Sequence, residues 1–508
     1  MIALSLAPLG APPALGVPLP LELALTVAGA LGWASAAAFL VVLMAMVVAL
    51  VTDDRDPTTV IAWLLVIVLL PVFGAVLYFF IGRNYRRNTP ARRRLRIELD
   101  DATRSVSGQV LHACAGFRAE TEARLTDTAA AKLATIAEHV EGTPILPADS
   151  VEIYLRGEDK FRRLLEDLRG ARRYIHLMYL IWERDELTAK VTDVLLERLR
   201  QGVEVRILYD WVSCLRYKKD ELKRLAAAGA QVKPCFKHLW QVNYRNHMKI
   251  AIVDGELVYT GGMNMGQEYI DGGPRFASWR DTSVRLTGSV VAPFELLFAV
   301  TWRLNKGHED LATGYVLEAQ PHDHCGGAPV QVLHSSVATT FKSIRDAYIV
   351  ALLGAEESVW IQSPYFVPDE PLLTAMCTAA LAGTDVRLMM TGVPDKKMAF
   401  WAAHAYYGHL LESGVRIHHY MAGFLHAKTV TVDGRWCVIG TCNWDIRSMI
   451  LHEEVSCVFY DEAISARHAA AYEQDLQHCR EFTRDDWEAL GRRVRLRNSF
   501  ARLFSRLL

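Results

Sequence analysis

NHMKIAIVDGELVYTGGMN, residues 246–264, decides the fold once it is set beside LHAKTVTVDGRWCVIGTCN, residues 425–443. The first stretch holds His247, Lys249, Asp254, Gly261 and Asn264; the second repeats these letters at His426, Lys428, Asp433, Gly440 and Asn443, 426 − 247 = 179 positions later. Each Asp-Gly step lies between strand formers, the strongest short-range signal for a two-residue hairpin turn, so each stretch is predicted to be a β-hairpin. Residues two apart on a strand share a face, which places His247 with Lys249 and His426 with Lys428.

The repetition extends outward. YIHLMYLIWERDE (174–186) has a counterpart in VWIQSPYFVPDE (359–370), RQGVEVRILYD (200–210) in AGTDVRLMMTG (382–392), and LAAAGAQV (225–232) in LLESGVRI (410–417). Each pair reads as the same step: a buried strand, or a helix ending at glycine before one. Strands alternate with helices in both copies, so the expected class is α/β with a mixed sheet in each of two halves, 146–325 and 326–508. A polar, helical connector over 84–145 precedes them.

The N-terminal residues are of another kind. No side chain between Glu22 and Asp53 carries a charge, nor any between Asp56 and Arg83. About 20 residues at 1.5 Å each cross a hydrocarbon core, so residues 1–83 are expected to be an anchor with transmembrane helices at about 25–51 and 60–81, the second kinked at Pro71. TDDRDPTT between them holds one basic and three acidic residues, whereas GRNYRRNTPARRRLR beyond holds seven arginines and no acid. The positive-inside rule then places the body in the cytoplasm of a multi-pass inner-membrane protein, against anionic lipid. The C-terminal RRVRLRNSFARLFSRLL reads as a basic amphipathic helix with Phe500, Leu503, Phe504 and Leu507 on one side, suited either to a membrane surface or to the chain's own body.

A net charge of −1 argues against a nucleic-acid binder, which needs a basic excess. The nine cysteines are scattered without a CxxC pair and read as reduced, mostly buried thiols. His322-Asp323-His324-Cys325 lies among Pro and Gly as a loop, and no metal site is expected there.

A lone His-x-Lys on a strand would mean little. Met twice at matching places, the pattern supplies what exchange at a phosphodiester requires: a nucleophile that can leave again, an acid for the departing oxygen, and cationic donors for the equatorial oxygens. Two histidines, one neutral and one protonated, fit the first two roles. Lys249, Lys428, Asn264 and Asn443 fit the third, and neither metal nor cofactor is called for.

The full pattern His-x-Lys-x4-Asp-x6-Gly-x2-Asn resembles the phospholipase D superfamily. That resemblance implies a duplicated fold with one active site at the junction of the halves, His247 as nucleophile forming a phosphohistidine, and His426 as general acid and then base. The near symmetry of the two motifs leaves the swapped assignment open. Glu454, eleven residues after Asn443, stands where the family carries a histidine-orienting carboxylate; the matching offset in the first half is Arg275, which leaves Asp281 in SWRDT as its partner. Asp254 and Asp433 belong to the motif and so to the catalytic set, although their place in a turn suits bracing of the backbone. Gly262 stands where the family often carries Ser or Thr, as Thr441 does in the second half.

RDPTTVIAWLLVIVLLPVFGAVLYFFIGR, NYRNHMK, YTGGMN, SWRDT, SPYFVPD, FLHAK and NWDIRS narrow the resemblance to bacterial cardiolipin synthases, with Met248 where arginine is common. This implies phosphatidyl transfer between two phosphatidylglycerols, giving cardiolipin and glycerol. A membrane-bound phospholipase D hydrolase, or a transferase with another donor or acceptor, would share every catalytic letter; a non-enzymatic scaffold would not need both motifs intact. Trp182, Tyr365 and Phe366 are candidates to line the lipid entrance, with core packing as the plainer reading. A homo-oligomer is compatible with all of this.

Overall fold

The computed structural model describes residues 21–52, 57–82, 114–125, 128–215, 219–237, 241, 243–305, 326–336 and 341–505. Two compact units divide the chain at Arg83/Asn84. The loop between the expected membrane spans, the arginine-rich stretch that follows the second span, His322 to Cys325, and Leu507 lie outside the described residues.

In the first unit, helix Leu21–Val51 is followed by Pro57–Leu69 and Pro71–Leu77. The second apolar run is thus broken, not merely bent: Leu70 leaves helical geometry at φ −131°, ψ 68°, as the residue before a proline tends to do. Side chains of the first helix are described continuously only from Phe39. Among the described residues no helix is long and apolar enough to cross a membrane.

The second unit is built on two mixed sheets. Across the first, the strands run Ser150–Tyr154, Ser283–Thr287, Leu257–Gly261, Ile250–Val253, Tyr174–Tyr179, Glu204–Asp210 and Gln231–Cys235. The second repeats that order with Ala328–Ser335, His452–Phe459, Trp436–Gly440, Thr429–Val432, Ser358–Gln362, Asp385–Thr391 and Arg416–Tyr420. In both sheets the strands from Tyr174 or Ser358 onward pair in parallel and the hairpin strands pair antiparallel. The parallel connections are helical crossovers, Glu186–Arg200 and Asp220–Ala227 in one half, Glu370–Leu381 and Tyr407–Glu412 in the other.

Alternation along the strands explains how the sheets stack. Cys437 and Ile439 point one way and Trp436 and Val438 the other; Ile250 and Ile252 oppose Ala251 and Val253. Cys437, Ile439, Val455 and Cys457 meet Ile250, Ile252, Val258 and Val284 in one apolar core between the sheets. The outer faces are covered by helices, among them Gly157–Gly170 on the first sheet and Ser343–Gly354 on the second.

Two segments depart from the sequence-based partition. Strand Ile145–Ala148 adds to the second sheet, antiparallel to Ala328–Ser335, although it stands at the very start of the first half. Helix Thr128–Glu141, read as polar connector, buries Ala129, Ala130, Leu133 and Ala137 in the same cluster as Ile344 and Ala351. Its alanines let two helices approach closely, which a scan for large apolar residues misses.

Candidate active site

Both hairpins form as expected. Asp254 and Gly255 take φ of 56° and 72°, Asp433 and Gly434 of 52° and 65°, the paired positive values of a turn matched to strand twist. The two aspartates do brace backbone. Asp254 accepts from the amides of Arg172, Arg173 and Tyr174, and Asp433 from those of Glu356, Glu357 and Ser358, in each case the chain entering the central strand. At ~3.3 Å per residue the aspartates lie a strand's length from the lysines, and their carboxylates are fully engaged.

The His-x-Lys triplets lie outside the strand ladders. Arg245–Asn246 pairs in parallel with His452–Glu453 of the other half, and Phe424–Leu425 with Trp279–Arg280. Each triplet is the extended link between such a cross-half pair and the hairpin, and it is sewn in at once: the His247 amide donates to the Glu453 carbonyl at 2.9 Å, the His426 amide to the Arg280 carbonyl at 2.7 Å. This stitching carries each histidine to a carboxylate from the opposite half. His247 Nδ1 lies 2.9 Å from Glu454, and His426 Nδ1 lies 2.6 Å from Asp281. Asp281 and Glu454 are both completely buried.

Lys249 Nζ donates to the His247 carbonyl at 2.6 Å, and Lys428 Nζ donates likewise to that of His426. Burial, aided by mutual repulsion, depresses every cation in the site. Lys249 is pushed down to about 7 and Lys428 to about 8; His426 falls to about 4, and His247 goes well below the usual imidazole range, with Lys249, Lys428 and His426 among the charges acting on it. Burial pushes the Glu454 carboxyl up to about 8. Lys249, Lys428 and His426 each act on the charge of His247, so the two motifs share one electrostatic environment, and it is one that favours an anion such as a phosphate diester.

Asn264 and Asn443 are placed alike. The amide of Asn264 reaches the Tyr269 hydroxyl at 2.8 Å and that of Asn443 the Ser448 hydroxyl at 3.2 Å, each five residues on, and in both the carbonyl oxygen is buried without a partner. A half-turn of either amide would give that hydroxyl an acceptor and turn the NH2 group inward as a phosphate donor.

The asymmetry at Gly262 has a steric cause. A Cβ there would stand 2.0 Å from Oδ1 of Asp281, whereas Thr441 in the other half donates its hydroxyl to Glu454. Gly262 is therefore where the carboxylate passes, and Gly262→Ala is expected to shift Asp281 and lower kcat by about 10²-fold, the cost of misplacing a catalytic group by an ångström. Steady-state kinetics checks this.

Three nearby rings escaped sequence reasoning. Trp279 lies 5.7 Å from His426 and His452 lies 5.6 Å from His247, centroid to centroid; Tyr269 lies 5.9 Å from His426. Trp279 and His452 each stand two residues before the orienting carboxylate, so strand periodicity counted back from Asp281 and Glu454 would have found them. Of the candidates for an entrance, Trp182 and Phe366 are core residues, and Tyr365 is half-buried with its hydroxyl donating to Asp395 at 2.6 Å. Met248 is fully buried in the core between the sheets.

Residues 164–272 and 348–476 match a family profile described as cardiolipin synthase, PLD-like domain, and residues 38–83 match one described as phospholipase D-nuclease N-terminal. The major cardiolipin synthase ClsA of Bacillus subtilis (strain 168) is 32% identical over 486 residues, covering 92% of this chain and 98% of that protein. The chain belongs to the cardiolipin synthase family. A second relative in that family, the cardiolipin synthase of Geobacillus sp. (strain WCH70), is 33% identical over 474 residues, with 92% of each chain covered. Among solved structures, the phosphatidylserine synthase of Haemophilus influenzae Rd KW20 shares the fold at a TM-score of 0.57 and 15% identity, covering 74% of this chain and 100% of that one. Both segments of the cardiolipin synthase profile contain one His-x-Lys triplet or its hairpin, so the family match and the geometry rest on the same residues.

Proposed function

We propose that this chain is a cardiolipin synthase: it moves the phosphatidyl group of one phosphatidylglycerol onto the primary hydroxyl of another, releasing glycerol. The observation that carries the reading is the reciprocal pairing, in which His247 takes its carboxylate from the second half and His426 from the first. With Nδ1 of each ring engaged, Nε2 is the atom left for substrate. His247 Nε2 attacks phosphorus, forming a P–N bond as the P–O bond to glycerol breaks, and His426 gives its proton to the departing oxygen. The hydroxyl of the second phosphatidylglycerol then attacks the phosphohistidine, His426 takes its proton back, and His247 leaves. Lys249, Lys428, Asn264 and Asn443 hold the equatorial oxygens. The arriving phosphate adds its negative charge to that of Asp281 and raises the proton affinity of His426 toward the level an acid requires.

One phosphodiester replaces another, so no nucleotide is consumed. What the enzyme must secure is preference for the lipid hydroxyl over water, and a site against the bilayer favours that. Two features support such placement. Apolar side chains of the N-terminal unit face outward, Trp33 at 80% exposure and Leu69 at 73%, as suits two spans in hydrocarbon with the body on the arginine-rich, cytoplasmic side. In the body, helix Arg492–Arg502 packs Ala501 against Ala402 while Leu496, Phe500, Leu503 and Phe504 stand exposed on one side. Arg495 and Arg497 lie over the rings of Trp487 and Trp401, at 4.3 and 4.5 Å from their centroids. A basic helix that packs on one side and bares aromatics on the other suits an anionic membrane surface. Phe500→Glu with Leu503→Glu is expected to lower turnover on anionic vesicles about tenfold while sparing turnover in mixed micelles; equal loss in both would argue for a purely structural helix.

The reading is tested by incubating purified protein with headgroup-labelled phosphatidylglycerol. Cardiolipin with released glycerol is the expected outcome. Phosphatidic acid in its place would make the enzyme a hydrolase.

A further inference from the structure

The two halves differ at one telling position. Where the first half sets Trp279 beside His426, the second sets His452 beside His247. A tryptophan there can pack and donate but has no lone pair to offer a metal, whereas an imidazole can ligate. Among the described residues neither ring nitrogen of His452 has a hydrogen-bond partner, although both are buried. An imidazole whose buried nitrogens make no hydrogen bond calls for a ligand.

His247, His452 and Glu454 each bring one donor atom within 4.8 Å of the others. The separations suit one ion. His247 Nδ1 lies 2.9 Å from Glu454 Oε1, and His452 Nδ1 lies 3.6 Å from the same oxygen. A tetrahedral zinc ion with bonds of about 2.0–2.2 Å sets its ligand atoms about 3.3 Å apart, between those two values. Two imidazoles and one carboxylate form a donor set that zinc takes readily, with a fourth position left open. Magnesium and calcium, which demand oxygen ligands, do not fit it.

We propose that His247, His452 and Glu454 form a capture site for a zinc-like divalent cation, and that its occupation slows the enzyme. The cation takes the lone pair of His247 Nδ1 and an oxygen of Glu454; the carboxyl proton leaves to solvent, one for each ion bound, and the imidazole keeps its own proton on Nε2. Nε2 still faces the phosphate, so lipid binds, but it now carries the ring proton and has no lone pair with which to attack phosphorus until the ion leaves. Inhibition therefore falls on kcat and leaves KM little changed. The slowing of catalysis rests on the proposed role of His247; capture of the ion does not.

The experiment titrates Co²⁺, as a coloured stand-in, and Zn²⁺ into the full-length protein in detergent, with Mg²⁺ as control. Visible absorption reports the ligand field, calorimetry in two buffers reports proton release, and phosphatidylglycerol turnover is followed in parallel. One ion per chain, one proton released and a fall in kcat are expected, with no response to Mg²⁺. Loss of a supporting residue around a metal costs about 10–100-fold in affinity, so His452→Phe, which removes a direct ligand, should weaken binding by about a hundredfold or more and raise the inhibitory zinc concentration to match, each variant compared with its own metal-free rate. His452→Cys should restore capture and add a thiolate-to-cobalt charge-transfer band, which a merely misfolded site would not produce. Binding that His452→Phe leaves unchanged, or no charge-transfer band with His452→Cys, would overturn the site. Binding at the site with undiminished kcat would overturn the inhibition and count against His247 as nucleophile, whereas absence of cardiolipin in metal-free protein would sink the reaction alone.

Discussion

Alanine at His247 or at His426 is expected to lower phosphatidyl transfer by at least about 10⁴-fold, and the double substitution is expected to cost little more, because groups that act as one unit are strongly non-additive. The two losses have different origins, and the leaving group separates them. A phosphodiester whose leaving group departs as a stable anion, such as p-nitrophenolate, needs no acid. With that substrate His426→Ala should recover a burst of product matching one phosphoryl-enzyme per chain, while His247→Ala stays inert. A burst in His247→Ala and none in His426→Ala would establish the opposite assignment, which the matched surroundings of the two rings leave chemically intelligible. Full activity in either variant would remove the paired site.

Asp281→Asn and Glu454→Gln make the second large pair. Losing the carboxylate that fixes a catalytic histidine's tautomer costs about 10⁴-fold in a well-studied serine protease, and Asp281→Asn is expected to approach that figure. Glu454→Gln should cost less, about 10²-fold, because burial has raised the Glu454 carboxyl to about 8 and the side chain already holds a proton for much of the neutral range. The same shift predicts a stability signature. A carboxyl whose folded pKa lies above its unfolded value of 4.5 stabilises the fold below that pH, and its contribution is lost as pH rises through about 8. Between pH 5 and 8 the Tm of Glu454→Gln should therefore fall less than that of the parent protein. Parallel melting curves for the two would contradict the protonated carboxyl.

Much of this was legible in the chain. The paired Asp-Gly turns, the strand alternation and the matched helix ends fixed the duplicated α/β class because all are local signals whose periodicity survives folding. Asp281 and Glu454 were legible as carboxylates to set beside the histidines, and they lie 2.6 and 2.9 Å from His426 and His247. Which histidine each one serves was not legible, because it depends on two short cross-half strand pairs, Arg245–Asn246 with His452–Glu453 and Phe424–Leu425 with Trp279–Arg280, too brief for any pattern to announce. The same limit hid Ile145–Ala148, whose partner lies in Ala328–Ser335, and Thr128–Glu141, whose small alanines look polar in company. Trp182 and Phe366 took the plainer of their two readings, because aromatic residues at strand ends can as easily seal a core as line an opening.

The exchange of carboxylates has a bearing on ancestry. If each half is a copy of one parent sequence, that parent could not have completed its own histidine; it needed a twin, seated across a twofold axis, to lend the missing acid. Fusion of the twins into one polypeptide then freed the two sides to diverge. Tryptophan on one flank and imidazole on the other, a glycine here and a threonine there, record how far that divergence has gone.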